Sequence, residues 1–279
     1  NGGDLLKEQA GIATSPRKRF GARQILGGAS GIVSTSAWVS GLAVEVMQQL
    51  RIKRPPPIGT FGLGTDPKFF HPGRDTGRLR ATWGIGDAPL LLTVARLIPH
   101  KGQDVVVRAL AELRPEFPTL HYAMVGTGPD EARLRKLADD LKVSDRVIFA
   151  GPVSDDEVAE AYATSTVYLG LSRTDKSIDA EGFGISFLEA SASALPIIAG
   201  DSGGVRSAVR DGESGVVVPP HDVGAVVEAV RAYLSDPALR TRTGKVGRAL
   251  VETYYNWDRV ARDTRRFTYE VIKPRRRPN

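Results

Sequence analysis

Glu181-Gly-Phe-Gly-Ile-Ser-Phe-Leu-Glu189 is the stretch on which the reading of this chain turns. It opens as a glycine-broken loop and becomes an apolar helix at about Ile185. Gly182 and Gly184 carry no Cβ, so the backbone there can come close to a ligand. The helix start that follows presents free N–H groups and the positive end of a dipole, which suits an anion. A glutamate stands at each end, one beside the loop and one about a turn into the helix. A ligand with a diphosphate in the middle and hydroxyl-rich groups on both sides satisfies every part, and a nucleotide sugar has that layout. Taken alone, the stretch also fits a capped core helix with two surface glutamates. The neighbouring segments decide between the two.

Outward from this stretch the pattern is regular. Apolar runs at Leu90–Ala95, His121–Gly126, Arg146–Gly151, Thr166–Leu171, Pro196–Gly200 and Ser214–Pro219 read as strands. Helical spacing separates them, at about 102–113, 129–141, from Ser154 onward and from about Ile185, with a short helix after Gly204. Ser154-Asp-Asp-Glu157 has the sequence form of a capping box. Helices are expected over about 222–235, 238–254 and 257–272. Near-continuous apolar strands alternating with helices predict an α/β fold, a doubly wound, Rossmann-like parallel sheet covered on both faces, at about 87–235. Ligands of such sheets lie outside the carboxyl ends of the strands. The residues after Ala95, Gly126, Gly151 and Leu171 all fall at that edge.

The N-terminal part reads differently. Residues 5–28 are rich in Arg, Lys and Gln and predict a polar-faced helix. Gly31–Ser36 reads as a short buried strand and 37–50 as a helix with Val39, Leu42, Ala43, Val46 and Leu50 on one face. Arg54-Pro-Pro-Pro57 and the glycine-rich 59–66 are linker chemistry, and a domain boundary is expected between about 60 and 86. The 279 residues, 41% hydrophobic and 25% charged, are those of a globular protein large enough for more than one domain. Apolar runs fall short of the ~20 residues of a membrane span, and Asn1-Gly-Gly-Asp4 does not read as a signal peptide. Without cysteine, thiolate metal sites are excluded, and the four histidines have no metal-ligand spacing. The net charge of +6 suits anionic partners. The clusters Arg17-Lys18-Arg19 and Arg275-Arg276-Arg277 also fit solvated faces. They lack interleaved aromatics, which counts against nucleic acid.

At the ligand edge, Arg96 and Lys101 follow the first of the six strands. Two cations there would clamp a diphosphate and stabilise the charge that grows as it leaves. A helix start disfavours cations, so their presence favours an anionic ligand. Gly126-Thr-Gly128-Pro129 is a second glycine turn and lacks the third glycine of a dinucleotide fingerprint. Gly151-Pro-Val153 offers a close approach for a flat base, and Asp201-Ser-Gly-Gly204 is a further one.

Arg96…Lys101-Gly102, Gly126–Pro129, Arg146–Gly151, Glu181-x7-Glu189 and Ser202-Gly-Gly204…Asp211-Gly-Glu-Ser-Gly215, in this order, resemble a retaining glycosyltransferase of family 4 with the GT-B fold. The stretch from Ser172 to Gly204 is similar to mannosyltransferases acting on phosphatidylinositol mannosides. Gly64-Thr-Asp66…Pro72 resembles that family's linker, and Trp257 the aromatic of its final crossing helix. The resemblance implies a division into 1–72, the rest of an N-terminal acceptor-side Rossmann-like domain with its linker; 73–256, a nucleotide-sugar-binding domain; 257–272, a helix crossing back; and 273–279, a basic tail. It implies catalytic roles for Glu181, Arg96 and Lys101, with the two cations on the diphosphate and Glu181 on the transferred sugar. It implies donor binding by Glu189 on the ribose, by Gly182 and the backbone of Phe183 and Gly184, by Ile185 near the phosphates and by Val153 at the base. No metal or other cofactor is expected. The implied function is transfer of a hexose, mannose favoured, from GDP-mannose or a UDP-sugar to a lipid or glycan acceptor, in the cytoplasm and peripherally at the inner face of the membrane.

The sequence departs from that pattern in three places. The opening part of the acceptor domain, on the order of 100 residues by usual domain size, is expected to be missing, and Asn1 stands where the resembling loop has a histidine. Arg206-Ser207 replaces a Pro-Glu pair, and Gly170-Leu171-Ser172 lacks a proline. A nucleotide-sugar-binding fragment without transfer activity therefore stands as the alternative. A glycoside hydrolase using the two glutamates would not need Arg96 and Lys101.

Overall fold

A computed structural model describes residues 15–174 and 180–272. The readings made on Asn1–Asp4, on residues 5–14, on Asp179 and on the 273–279 tail lie outside the described residues.

The six apolar runs form one parallel sheet. Its strands are β3 (Leu90–Val94), β4 (His121–Val125), β5 (Val147–Gly151), β6 (Val167–Gly170), β7 (Ile197–Gly200) and β8 (Gly215–Val218), in the order β5-β4-β3-β6-β7-β8. Leu91 pairs with Tyr122 on one side and with Val167 on the other. Counted from β3, this is the doubly wound order 3-2-1-4-5-6, and the direction of winding reverses between β3 and β6. A crevice opens there because the loops leaving the two strands turn to opposite faces.

Both faces are covered, which is why the strands are apolar throughout rather than alternating. On one side Leu91, Tyr122, Met124, Val167, Leu169 and Ile198 pack under α4 (Gln103–Leu113), α5 (Glu131–Asp140) and α8 (Val223–Ser235). On the other, Leu90, Leu92, Ala123, Tyr168 and Ile197 pack under α3 (Arg78–Trp83), α6 (Asp155–Thr164), α7 (Ile185–Ala192) and the end of α9 (Pro237–Thr253). The capping box at Ser154 forms with both halves, Ser154 accepting from the Glu157 backbone and Glu157 accepting from the Ser154 backbone.

The N-terminal part is smaller: α1 (Pro16–Gly28), β1 (Ile32–Ser34), α2 (Ala37–Gln49) and β2 (Ile58–Thr60). β2 lies inside the stretch expected to be linker. It pairs in parallel with β1, Ile32 to Ile58 and Ser34 to Thr60. α3 was likewise expected as part of the boundary region. It is fixed there by Glu160, which is buried and accepts from Thr76 Oγ1 at 2.5 Å, Arg78 Nη2 at 2.9 Å and the Leu79 amide at 3.2 Å.

The last helix, α10 (Trp257–Ile272), returns to the N-terminal part. The Phe267 ring meets Phe61 edge-on at 5.8 Å and packs over two glycines, 3.1 Å from where a Cβ on Gly31 would stand and 3.0 Å from one on Gly59. The corner ahead of α10 is held by the linker: the Thr65 amide donates to Tyr255 O at 3.0 Å, and buried Arg259 donates to Gly62 O at 2.5 Å and Tyr254 O at 2.8 Å.

Candidate active site

Two loops build the site, one from each side of the reversal between β3 and β6. The first leaves β3 as Ala95-Arg96-Leu97 and makes a short 3-10 turn, Pro99–Lys101, before α4. It is clamped from three directions. Leu97 donates to Thr127 O at 2.9 Å, and Asp130 donates back to Leu97 O at 3.1 Å. The Arg173 amide at the end of β6 donates to His100 O at 2.8 Å, and the buried Arg173 guanidinium grips Asp104 on α4 at 3.0 Å. The glycine turn 126–128 at this edge admits this loop, since a Cβ on Gly128 would stand 2.1 Å from Leu97 O.

The second loop enters α7. Phe183 is buried against Tyr255, with ring centroids 6.3 Å apart, so its backbone is what remains for a ligand. Gly184 takes the N-cap of α7 with a φ of 91°. Ile185, in the first turn, is 39% exposed. The Ser202–Gly204 segment lies directly behind: the Gly204 amide donates to Glu181 O at 2.7 Å, and a Cβ on Gly204 would stand 2.0 Å from Gly182 O. Arg206, where the resembling family has proline, forks to Asp201 at 2.8 and 2.9 Å on the outside of this segment.

Among the described residues, side chains of the two loops meet at one carboxylate oxygen. Lys101 Nζ donates to Glu181 Oε2 at 2.7 Å, and Ser172 Oγ at the end of β6 donates to the same oxygen at 3.3 Å. Lys101 and Glu181 keep 20% and 18% of their side-chain surface, so the pair is half-sheltered rather than buried or free. The sequence places these residues at the same edge; their mutual contact is not readable from it. Arg96 is exposed, and among the described residues no carboxylate pairs with it.

Glu189 lies in the second turn of α7, largely shielded. Burial pushes its carboxyl above the usual carboxylate range; the Tyr162 hydroxyl, donating at 2.8 Å, opposes the shift and the charge of Asp155 adds to it. Val153 follows the end of β5 and packs partly buried against the core on the α6 side, two strands from the reversal. The N-terminal part also touches the site. Ser36 Oγ donates to Gly182 O at 2.7 Å while accepting from the Val39 amide as the cap of α2. Ser36 and Tyr162 were missed in the sequence as site residues, and Ser172 was read only as part of a resembling stretch, without a role of its own. The capping position of Ser36 was the one available signal. Among the described residues no group of three or more His, Asp or Glu gathers to hold a metal ion.

A doubly wound sheet with a cationic loop, a helix start and two carboxylates at its reversal defines a class, and the comparisons name it. The family model of glycosyl transferases group 1 matches residues 75–250. The chain belongs to that family, and its fold is of the GT-B class. A GDP-mannose-dependent alpha-(1-6)-phosphatidylinositol monomannoside mannosyltransferase of Mycolicibacterium smegmatis is 39% identical over 196 residues, 70% of this chain and 51% of that protein. A D-inositol 3-phosphate glycosyltransferase of Acidothermus cellulolyticus is 35% identical over 251 residues, 85% of this chain and 53% of that one. Sucrose-phosphate synthase from Thermosynechococcus elongatus superposes with a TM-score of 0.77 at 26% identity, over 96% of this chain and 65% of that one. The C-terminal domain of a glycosyl transferase group 1 protein from Francisella tularensis matches by fold, with a TM-score of 0.59 at 22% identity, over 70% of this chain and all of that one. The chain spans about half the length of the curated relatives it matches.

Proposed function

We propose that this chain is a retaining glycosyltransferase that moves a hexose, mannose in preference, from GDP-mannose to a lipid or glycan acceptor. The observation that carries the reading is the meeting of Lys101 and Glu181 at the reversal between β3 and β6. It puts a cation for the diphosphate and a carboxylate for the sugar side by side, ahead of a helix start, with Glu189 one turn further for the ribose. In this reading the donor diphosphate lies over the start of α7, held by Lys101 and by Arg96, which no carboxylate among the described residues pairs with. Ile185 and the amides beside it face the phosphates, the backbone of Gly182, Phe183 and Gly184 lines the sugar, and Val153 flanks the base. As the bond to the anomeric carbon breaks, negative charge grows on the leaving phosphate, and fixed cations and dipoles stabilise it without reorganisation. The acceptor attacks from the face the diphosphate leaves, with a phosphate oxygen taking its proton, so configuration is kept. The positive charge is supplied by side chains and a helix dipole, and the reading needs no metal. GDP in preference to UDP rests on the names of the mannosyltransferase relatives.

An acceptor on a membrane fits α1, where Arg17, Lys18, Arg19 and Arg23 accompany the exposed Phe20 and Ile25. Such a surface suits peripheral contact with anionic lipid. No helix among the described residues is long and apolar enough to cross a membrane. A second reading, a donor-binding piece without transfer, is favoured by the share of its relatives that the chain spans. Incubation with radiolabelled GDP-mannose and an extracted lipid acceptor separates the two. Labelled lipid formed in the presence of EDTA supports transfer without a metal. GDP binding without transfer or donor hydrolysis supports the second reading, and the absence of GDP and UDP binding overturns both.

A further inference from the structure

We propose that Tyr162 is a positioning residue for Glu189: from inside the core its hydroxyl holds one carboxylate oxygen, so that the other is presented in a fixed orientation to the ribose of the donor. The proposal rests on the reading that Glu189 binds the ribose, and it adds the residue that makes this binding work.

Tyr162 is fully buried near the end of α6. Its ring meets Phe70 edge-on at 5.8 Å and lies 5.6 Å from Tyr168. The ring therefore has little freedom, and the hydroxyl reaches across to α7, where it donates to Glu189 Oε2 at 2.8 Å. A carboxylate has two oxygens and about four lone-pair sites. Among the described residues no other group donates to the Glu189 side chain, so the second oxygen keeps its full capacity. Two vicinal ribose hydroxyls are a pair of donors that such an oxygen can accept.

The charge state needs the same hydroxyl. A carboxylate in a sheltered, apolar place is costly unless something donates to it. Three groups from the packed elements face Glu189: Tyr162 and Asp155 on α6, and Tyr168 on β6. Burial and Asp155 both favour the protonated form, and Tyr162 favours the ionised one. A purely structural tie between α6 and α7 would need only an acceptor. The residue supplied is a carboxylate, which at this place costs stability and serves an outside donor.

The test uses the whole chain with GDP and 2′,3′-dideoxy-GDP as probes, titrated calorimetrically between pH 5 and 8 for wild type, Tyr162→Phe and Glu189→Gln. The ratio of the two affinities is measured within one preparation, so a partly unfolded variant does not bias it. Tyr162→Phe is expected to lower GDP affinity about tenfold, roughly 1.4 kcal/mol, while changing dideoxy-GDP little. Its GDP affinity should also fall away on acidification at a higher pH than in wild type. If Glu189→Gln abolishes the preference for GDP but Tyr162→Phe alters neither the ratio nor the pH midpoint, the positioning role is wrong and the ribose reading stands. If Glu189→Gln leaves the preference intact, the ribose reading fails and the proposal fails with it. Should Tyr162→Phe not fold, Tyr162→Met, which also lacks the hydroxyl, is read in the same way: an unaltered ratio and pH midpoint in that variant overturn the role.

Discussion

Replacing Glu181 by glutamine should separate donor binding from transfer, and in opposite directions. In the unliganded chain Lys101 is committed to Glu181, and a diphosphate has to share that ammonium with the carboxylate. A hydrogen bond between charged groups contributes about 1.5–3 kcal/mol when sheltered. With 20% and 18% of the two side chains exposed, and with phosphate replacing carboxylate rather than nothing, about 1 kcal/mol of that remains as competition. Glutamine keeps the shape and an acceptor oxygen but removes the charge. GDP should then bind about fivefold tighter, the ratio that corresponds to 1 kcal/mol. Transfer should fall on the order of a hundredfold, the usual result of loosening a substrate at the reacting centre. Calorimetry with GDP and initial rates with GDP-mannose read the two quantities. If GDP affinity and transfer fall together by the same factor, Glu181 does not divide its roles as argued, and the ion pair is a structural tie.

Lys101→Ala should weaken GDP about tenfold or more, since it removes a sheltered charge-assisted bond. Arg96→Ala should cost less and lose its effect in high salt, because that cation is exposed and screened; unchanged GDP affinity in both removes the clamp. Gly204→Ala pushes a Cβ to 2.0 Å from Gly182 O, which is backbone and cannot swing aside, so activity should collapse with a lowered melting temperature; normal activity would show that the loop behind the site is slack. Glu189→Gln should raise the melting temperature at pH 7 while weakening GDP. The Glu189 carboxyl is pushed above its unfolded value, so its ionisation opposes folding above that shifted value and ceases to matter below about pH 4. Glu160 behaves oppositely: burial pushes its carboxyl up, but Thr76, Arg78 and the Leu79 amide outweigh burial and hold it below the usual range. Its contribution is present above about pH 4 and is lost as pH falls through the lowered value. Glu160→Gln should therefore lower stability at neutral pH and flatten the acid side of a thermal-denaturation profile; parallel profiles would contradict this.

The central sheet was legible because both its faces are buried. Leu90-Leu-Leu-Thr-Val has no polar side to obscure the period, and a run of that kind between helical segments has few other uses. The helix boundaries at Ser36, Ser154 and Asp222 were marked by residues whose side chains do cap them. β2 was not legible: three residues containing a glycine and following three prolines form a strand only because β1 offers a partner far back in the chain. The edge on which the candidate site lies followed from topology, since every strand of a parallel sheet ends there. The contacts inside the site did not. Lys101 with Glu181, Tyr162 with Glu189 and Ser36 with Gly182 join residues that are remote in sequence and ordinary in type. Tyr162 in particular reads as a core aromatic, which it also is. The glycines were legible as close approaches, but not which backbone would approach them.

The return of α10 sets an order on events during synthesis. The two-stranded unit of β1 and β2 is made early, yet the ring that covers Gly31 and Gly59 belongs to Phe267. At about 5–20 residues per second, roughly ten to forty seconds pass between translation of β2 and translation of Phe267. Over that interval the short parallel pair has an uncovered face on the ribosome, while the segments of the central sheet emerge and can fold. The β1–β2 part is thus made before the central sheet and completed after it. A stalled or prematurely ended nascent chain would expose Phe61 and its neighbours, and this part, rather than the sheet, is where a chaperone would be needed.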